Sequence, residues 1–279
     1  MLGHDVRRVA ERAGHELVLV DLPELDITDA AAVDAFFRSE RPEGIINCAA
    51  WTDVDGAETK QDLAYAVNAT GAGNLARAAA EIGTSLLHIS TDYVFDGVAP
   101  RDGDGRPRPY VESDPTGPRS VYGQTKLDGE RQVLVACARH TVVRTAWLYG
   151  VDGRNFVDTM LRLAGERDAV QVVDDQVGSP TWSGHLAPAV LGLLEREVSG
   201  LVHLTGAGAV SWNGFAHEIF RQAEVDCRVE PVGSEQLARA APRPAFSVLE
   251  SQREDVLPMP PWQDGLAGYL SARAGIMRA

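Results

Sequence analysis

Cysteine is scarce in this 279-residue sequence: Cys48, Cys137 and Cys227 are odd in number and far apart. That spacing excludes a disulfide framework and a Cys-x-x-Cys metal site, so buried thiols are expected. The seven histidines are scattered, with no His-x-x-x-His or His-Glu-x-x-His pattern, and no metal is expected. No run approaches the roughly 18 apolar residues that span a membrane. No apolar leader follows a basic start, and the expectation is a cytoplasmic protein without a membrane partner. Clusters of lysine and arginine are also missing. Lys and Arg total 26 against 40 Asp and Glu, a net charge of -14, so no nucleic-acid partner is expected. Repeats and low-complexity tracts are absent.

What is present is an alternation of helical and extended patterns. The hydrophobic content, 44%, suffices for one large α/β domain or two lobes. "MLGHDVRRVAERAGHELVLVD" reads as a helix followed by a strand ending in an acid. "DAAAVDAFFRSERP" carries helical spacing and stops at Pro42. "GIINCAA" is a short apolar strand, and "AETKQDLAYAVNATGAGNLARAAAEIG" a long helical stretch with Gly83 at its C-cap. "SLLHIS" and "TVVRTAWLY" are extended, with the helical "SVYGQTKLDGERQVLVACARH" between them. This order implies parallel strands joined by crossovers, hence an α/β, doubly wound sheet. Strands apolar throughout suit a sheet covered on both faces. The second half is less regular. "NFVDTMLRLAGER", "SGHLAPAVLGLLERE" and "SWNGFAHEIFRQAEV" read as helices, the last capped by Ser211 or Asn213. "AVQVVDD" and "GLVHLTG" read as strands, and a last helix closes the tail. The organisation expected is a Rossmann-like domain over residues 1–150 and a smaller lobe over 151–279, some of whose segments return to the sheet. The loop "DGVAPRDGDGRPRPYVESDPTGPRS" is unusually long.

The sharpest chemical signal is Tyr122-Gly-Gln-Thr-Lys126. Positions i and i+4 share a helix face, so phenol and ammonium can point into one site. A free tyrosine, with a pKa near 10, is a weak acid at neutral pH; a nearby positive charge would lower that value and help the phenol protonate an alkoxide. Alone, the pattern is common and reads instead as a surface tyrosine followed by a solvated lysine. "HISTDYVFDG", however, ends a parallel strand with Ser90, Thr91, Asp92 and Tyr93, and ligands bind at the carboxyl ends of such strands. "NCAAWTDV" ends the preceding strand with small residues, which let a flat cofactor approach or a helix pack closely.

"NCAAWTDVDGAE", "ISTDYVFDG", "VYGQTKLDGE", "RTAWLYG", "NFVDTMLRLA", "VVDDQVGSPTW" and "RPAFSVL" occur in this order. Together they resemble the dTDP-4-dehydrorhamnose reductase family of the extended short-chain dehydrogenase/reductases, over nearly the whole chain. The resemblance implies reduction of the 4-keto group of a dTDP-linked 6-deoxyhexose to dTDP-L-rhamnose, with NADPH or NADH, by a monomer or homodimer. It places Thr91, Tyr122 and Lys126 in catalytic roles. Tyr122 would donate the proton, Lys126 would hold the nicotinamide ribose and lower the Tyr122 pKa, and Thr91 would bond the keto oxygen. It lines the cofactor site with Met1, Leu2, Gly3, Asp21, Asp26, Ile27, Ala50, Trp51, Thr52 and Ile89 besides Tyr122 and Lys126. Thr91, Asp92, Trp147 and Arg243 would bind substrate, with Ser247 and "DDQVGSPT" nearby. On the residues alone, Trp147 reads as core aromatic packing and Arg243 as a solvated loop residue; the planar fork of an arginine also suits a diphosphate.

Three features depart from the family pattern. Gly3 matches the last glycine of the family's G-x-x-G-x-x-G turn, which holds a pyrophosphate at a helix N-terminus. The natural chain is therefore expected to extend upstream by a strand and a turn, on the order of ten residues. The loop from Val98 to Pro109 is longer than usual and lies between Thr91 and Tyr122. Asp5 falls near a position where some members bind a bridging Mg²⁺, but its companions are missing and no metal is expected. Two other readings stand beside the reductase: a reductase or epimerase of another NDP-4-keto-6-deoxysugar, and a non-catalytic subunit related to the regulatory subunit of methionine adenosyltransferase.

Overall fold

The computed structural model describes residues 1–276; the last three residues of the expected C-terminal lobe lie outside the described residues. The main sheet has four parallel strands, β1 (Gly44–Asn47), β2 (Ser85–Thr91), β3 (His140–Thr145) and, late in the chain, β8 (Gly200–His203), in the order β1-β2-β3-β8. Alternation along the strands sends side chains to both faces. Leu86 and Val142 pack on one face beneath α2 (Ala30–Glu40), α5 (Ala72–Ile82) and α6 (Val121–Ala136). Leu87, Val143 and Val202 pack on the other, beneath α1 (Leu2–Ala13) and α8 (Ser183–Glu195). The doubly wound α/β sheet expected from the sequence is therefore present.

The helix signals are local. Asp29 caps α2 by accepting from the Ala31 and Ala32 amides, and Ser120 caps α6 by accepting from Gly123. Gly83 closes α5 in the left-handed conformation at φ 72°. Ser211, not Asn213, caps α9 (Trp212–Gln222). The stretch read as one long helix is interrupted: α3 (Val54–Thr59), α4 (Gln61–Tyr65) and a π-helical turn over Ala66–Gly71 precede α5.

The second half builds a smaller layer. Two-residue strands β4 (Leu148–Tyr149) and β7 (Thr181–Trp182) pair in parallel, and β6 (Val177–Gly178) pairs antiparallel with β9 (Val210–Ser211). β5 (Ala169–Val173) pairs in parallel with β10 (Arg228–Val232), against α7 (Phe156–Ala164), α9 and α10 (Trp262–Ile276). Thus β8 and α8 are the segments of the second half that join the main sheet.

One sequence expectation is corrected. The strand read from "ELVLVD" is not formed: residues 15–21 are irregular. Val18, Leu19 and Val20 are 54%, 57% and 42% exposed. A strand exists only through hydrogen bonds to a neighbour. Among the described residues β1 pairs with β2 alone, and nothing pairs with the 15–21 segment.

Candidate active site

The site forms where β2 ends and α6 begins. α6 lies close against the strand end because position 123 is glycine; a Cβ there would sit 2.3 Å from the Tyr93 carbonyl oxygen. This approach sets Tyr122 beside Thr91 and Tyr93, the two tyrosine rings meeting edge-on at 5.4 Å. Thr91 donates to Asp92 Oδ1 at 2.9 Å, and its oxygen accepts from the Tyr93 amide.

Electrostatics at these groups is governed by burial. Burial pushes the Tyr122 phenol up to about 12, with the Thr91 hydroxyl opposing. Burial also pushes Lys126 down to about 8, while Glu130 and Cys48 act to raise it. Burial pushes the Asp92 carboxyl up to about 6, against Ser247 and Thr91. The expectation that Lys126 lowers the Tyr122 pKa is not met. Lys126 Nζ is turned to the back of the site, donating to the Ile89 carbonyl at 2.6 Å and lying 3.4 Å from His88 Nε2.

Behind these groups lies a buried ion pair that the sequence reading did not find. Glu130, one turn beyond Lys126, meets Arg144 of β3 at 2.7 Å, with side chains 1% and 4% exposed. Glu130 Oε1 also accepts from Ser90, and Arg144 lies over the Phe95 ring at 4.9 Å. A buried pair of this kind fixes geometry more than it adds stability. Continuing the i, i+4 series Tyr122, Lys126, Glu130 would have found it. Asn68, also missed, sits in the π turn and clamps the loop after β1: its Oδ1 accepts from the Trp51 amide at 2.8 Å, and its Nδ2 donates to the Trp51 carbonyl and to Thr125.

The other expected residues fall into three groups. Ala50, Trp51 and Thr52 follow β1, and Ile89 lies two residues before the carboxyl end of β2. Met1, Leu2 and Gly3 are at the N-terminus of α1, where the Leu2 side chain is part of the core. Asp21 and Asp26 lie apart and exposed. Asp21 accepts from the Leu22 amide, and Asp26 from both the amide and hydroxyl of Thr28, which hold its carboxyl low. Ile27 packs near Gly71. Asp5 is spent on Arg8 and Ser183. Among the described residues no group of three His, Cys, Asp or Glu could hold a metal, and no helix is long and apolar enough to cross a membrane.

On the substrate side, Trp147 stacks on Trp212 at 3.5 Å and 4°. Gly178 of "DDQVGSPT" makes room for it, since a Cβ there would lie 2.4 Å from the indole. Arg243 is neither solvated nor free. It pairs with Asp55 at 2.8 Å, with its side chain 18% exposed, and lines a small cavity with Tyr93, Arg119 and Ser120. The loop Val98 to Pro109 is tied to itself, by an Arg101–Pro107 bridge and by Tyr110 donating to Asp96 and Val98. Thr145 Oγ1, at the carboxyl end of β3, is buried with no hydrogen-bond partner among the described residues, and Asp92, just past β2, faces Ser247. A buried polar atom left without a partner is a place for a water or a polar ligand.

A sequence model of the RmlD substrate binding domain matches residues 1–274. A dTDP-4-dehydrorhamnose reductase of Mycobacterium tuberculosis is 45% identical over 279 residues, covering 98% of this chain and 90% of that protein. A probable dTDP-4,6-dihydroxy-2-methyloxan-3-one 4-ketoreductase of Streptomyces antibioticus is 42% identical over 273 residues, covering 95% of this chain and 90% of the relative. The crystal structure of a dTDP-4-dehydrorhamnose reductase from Bacillus anthracis in complex with NADP superposes with a TM-score of 0.92 at 38% identity, covering 97% of this chain and 95% of that one.

Proposed function

The chain belongs to the dTDP-4-dehydrorhamnose reductase family, and on that premise we propose that it reduces the 4-keto group of dTDP-4-dehydro-6-deoxy-L-mannose to give dTDP-L-rhamnose in the cytoplasm, using NADPH or NADH. The observation that supports this reading is Tyr122 set beside Thr91 at the carboxyl end of β2, with Lys126 one turn further along α6. The cofactor supplies, when bound, the hydride that reaches the carbonyl carbon. The residues present fit such a group. Thr145, whose buried Oγ1 has no partner among the described residues, offers a polar contact, and the residues after β1, Cys48, Ala49 and Ala50, are small. Ala50, Trp51, Thr52, Ile89, Tyr122 and Lys126 would hold its nicotinamide side; Met1, Leu2, Gly3, Asp21, Asp26 and Ile27 would hold its adenosine side.

With its pKa raised to about 12 by burial, the phenol holds its proton through the neutral range, as free tyrosine does, but is a weaker acid; a cation brought beside it would lower that value and help it donate as negative charge grows on the carbonyl oxygen. Thr91, whose hydroxyl hydrogen is held by Asp92, would have to release that bond to donate to the same oxygen. An ammonium on Lys126 would stabilise the phenolate left behind. Arg243, held by Asp55, and Trp147, braced by Trp212, would receive the diphosphate and the sugar. Residues 1–150 are proposed as the cofactor-binding body and 151–279 as mainly the substrate lobe.

The 42% identity to the Streptomyces antibioticus ketoreductase favours, as a second reading, a 4-keto sugar of different stereochemistry on the same machinery. A panel of dTDP-4-keto-6-deoxysugars, incubated with each cofactor and analysed for configuration at C4, separates the two. dTDP-L-rhamnose as the main product supports the first reading. Preferential turnover of another sugar supports the second, and no turnover of any removes both.

A further inference from the structure

A buried polar chain runs behind Lys126 and takes no part in the reaction described above. His88 of β2 is 1% exposed and Lys126 2%. The hydrogen positions follow from Asn47, at the end of β1. The Ala49 amide donates to Asn47 Oδ1 at 3.0 Å, which fixes the orientation of the side-chain amide. Asn47 Nδ2 then donates to His88 Nδ1 at 3.0 Å. An accepting Nδ1 bears no hydrogen, so the neutral ring carries its hydrogen on Nε2. Burial holds the ring neutral, well below the usual histidine range. That Nε2–H faces Lys126 Nζ at 3.4 Å, while Nζ itself donates to the Ile89 carbonyl at 2.6 Å. A neutral amine satisfies both contacts, one N–H to the carbonyl and its lone pair to His88. An ammonium has no lone pair and would set N–H against N–H.

We propose that His88 is a positioning residue for Lys126: with its hydrogen held on Nε2 by Asn47, it presents a donor to the lysine nitrogen and so favours the amine over the ammonium in this buried place. The remaining titratable groups facing it are Glu130, from the next turn of α6, and Cys48, after β1. Burial pushes the Cys48 thiol up to about 11, so it stays neutral; Glu130 is bonded to Arg144 and favours the ammonium. What this does to Tyr122 rests on the reductase reading, whereas the hydrogen placement does not.

The sequence contains two lysines, Lys60 and Lys126, so NMR of the full chain labelled in lysine and histidine gives an assignable experiment without substrate. In the wild-type protein the His88 ring nitrogens are expected to report hydrogen on Nε2 and none on Nδ1. The Lys126 signal is expected to titrate below that of exposed Lys60. In His88→Gln, whose amide can turn an acceptor toward the ammonium, the Lys126 titration is expected to move up by about one pH unit, a tenfold change in its equilibrium. Hydrogen on Nδ1, a charged ring, or an unmoved Lys126 titration in a folded variant would overturn the proposal. If the variant does not fold, the wild-type ring assignment still decides it. Loss of turnover on every keto sugar would instead remove the reductase reading and leave these signals unchanged.

Discussion

The two ends of the cofactor cleft are built differently. At the β2–α6 end, several buried charged and polar groups are answered by another element: Lys126 by Ile89 and His88, Glu130 by Arg144 and Ser90, Asn68 by Trp51 and Thr125. At the far end, Asp21 and Asp26 bond only their own neighbours in sequence, and Val18, Leu19 and Val20 stand in solvent. The first end holds its geometry before any ligand arrives. The second has little that fixes it, because a single chain segment without a strand neighbour gains no ladder and buries no face. The candidate site is thus tightly bonded around Lys126 and Glu130 and loosely held around Asp21 and Asp26.

The contrast can be broken by substitution. Glu130→Ala leaves the Arg144 charge buried and unpaired, and a loss of about 3–5 kcal/mol is expected in denaturant unfolding; a loss under about 1 kcal/mol would show that the pair is not structural. Asp92→Asn tests the same end in the other direction. Its folded pKa, about 6, lies above the usual value, so the folded state resists ionisation and the carboxylate weakens the fold as pH rises from about 4 through 6. The variant is expected to be more stable than wild type by about 2 kcal/mol at pH 7 and to lose that gain at pH 4; an equal effect at both pH values would contradict it. The smallest effect is expected at the far end. Val18→Ser with Leu19→Ser should change stability by no more than about 0.5 kcal/mol in thermal unfolding, and a larger loss would show that the segment is packed.

The same contrast explains what the sequence disclosed. Helices announced themselves through short-range signals, the Asp29 and Ser120 caps and Gly83 at a positive φ. Tyr122 and Lys126 were legible because a helix face is a local property. The strand at 15–21 was misread because its apolar run satisfies a periodicity rule, while its existence depends on a neighbour that no local pattern supplies. His88 and Arg144 were overlooked for the converse reason. A histidine or arginine within an apolar strand carries no local mark of its partner, and Asn47 and Glu130 reach them from other elements. Arg243 looked like a loop residue because Asp55, which holds it, is 188 positions away.

The central claim is that Tyr122 delivers the proton. Turnover of dTDP-4-dehydro-6-deoxy-L-mannose by Tyr122→Phe, beside wild type and with folding checked by thermal unfolding, tests it most directly. Removal of the phenol is expected to lower kcat about 10²–10⁴-fold with little change in stability. A folded variant that turns over at the wild-type rate would contradict the assignment.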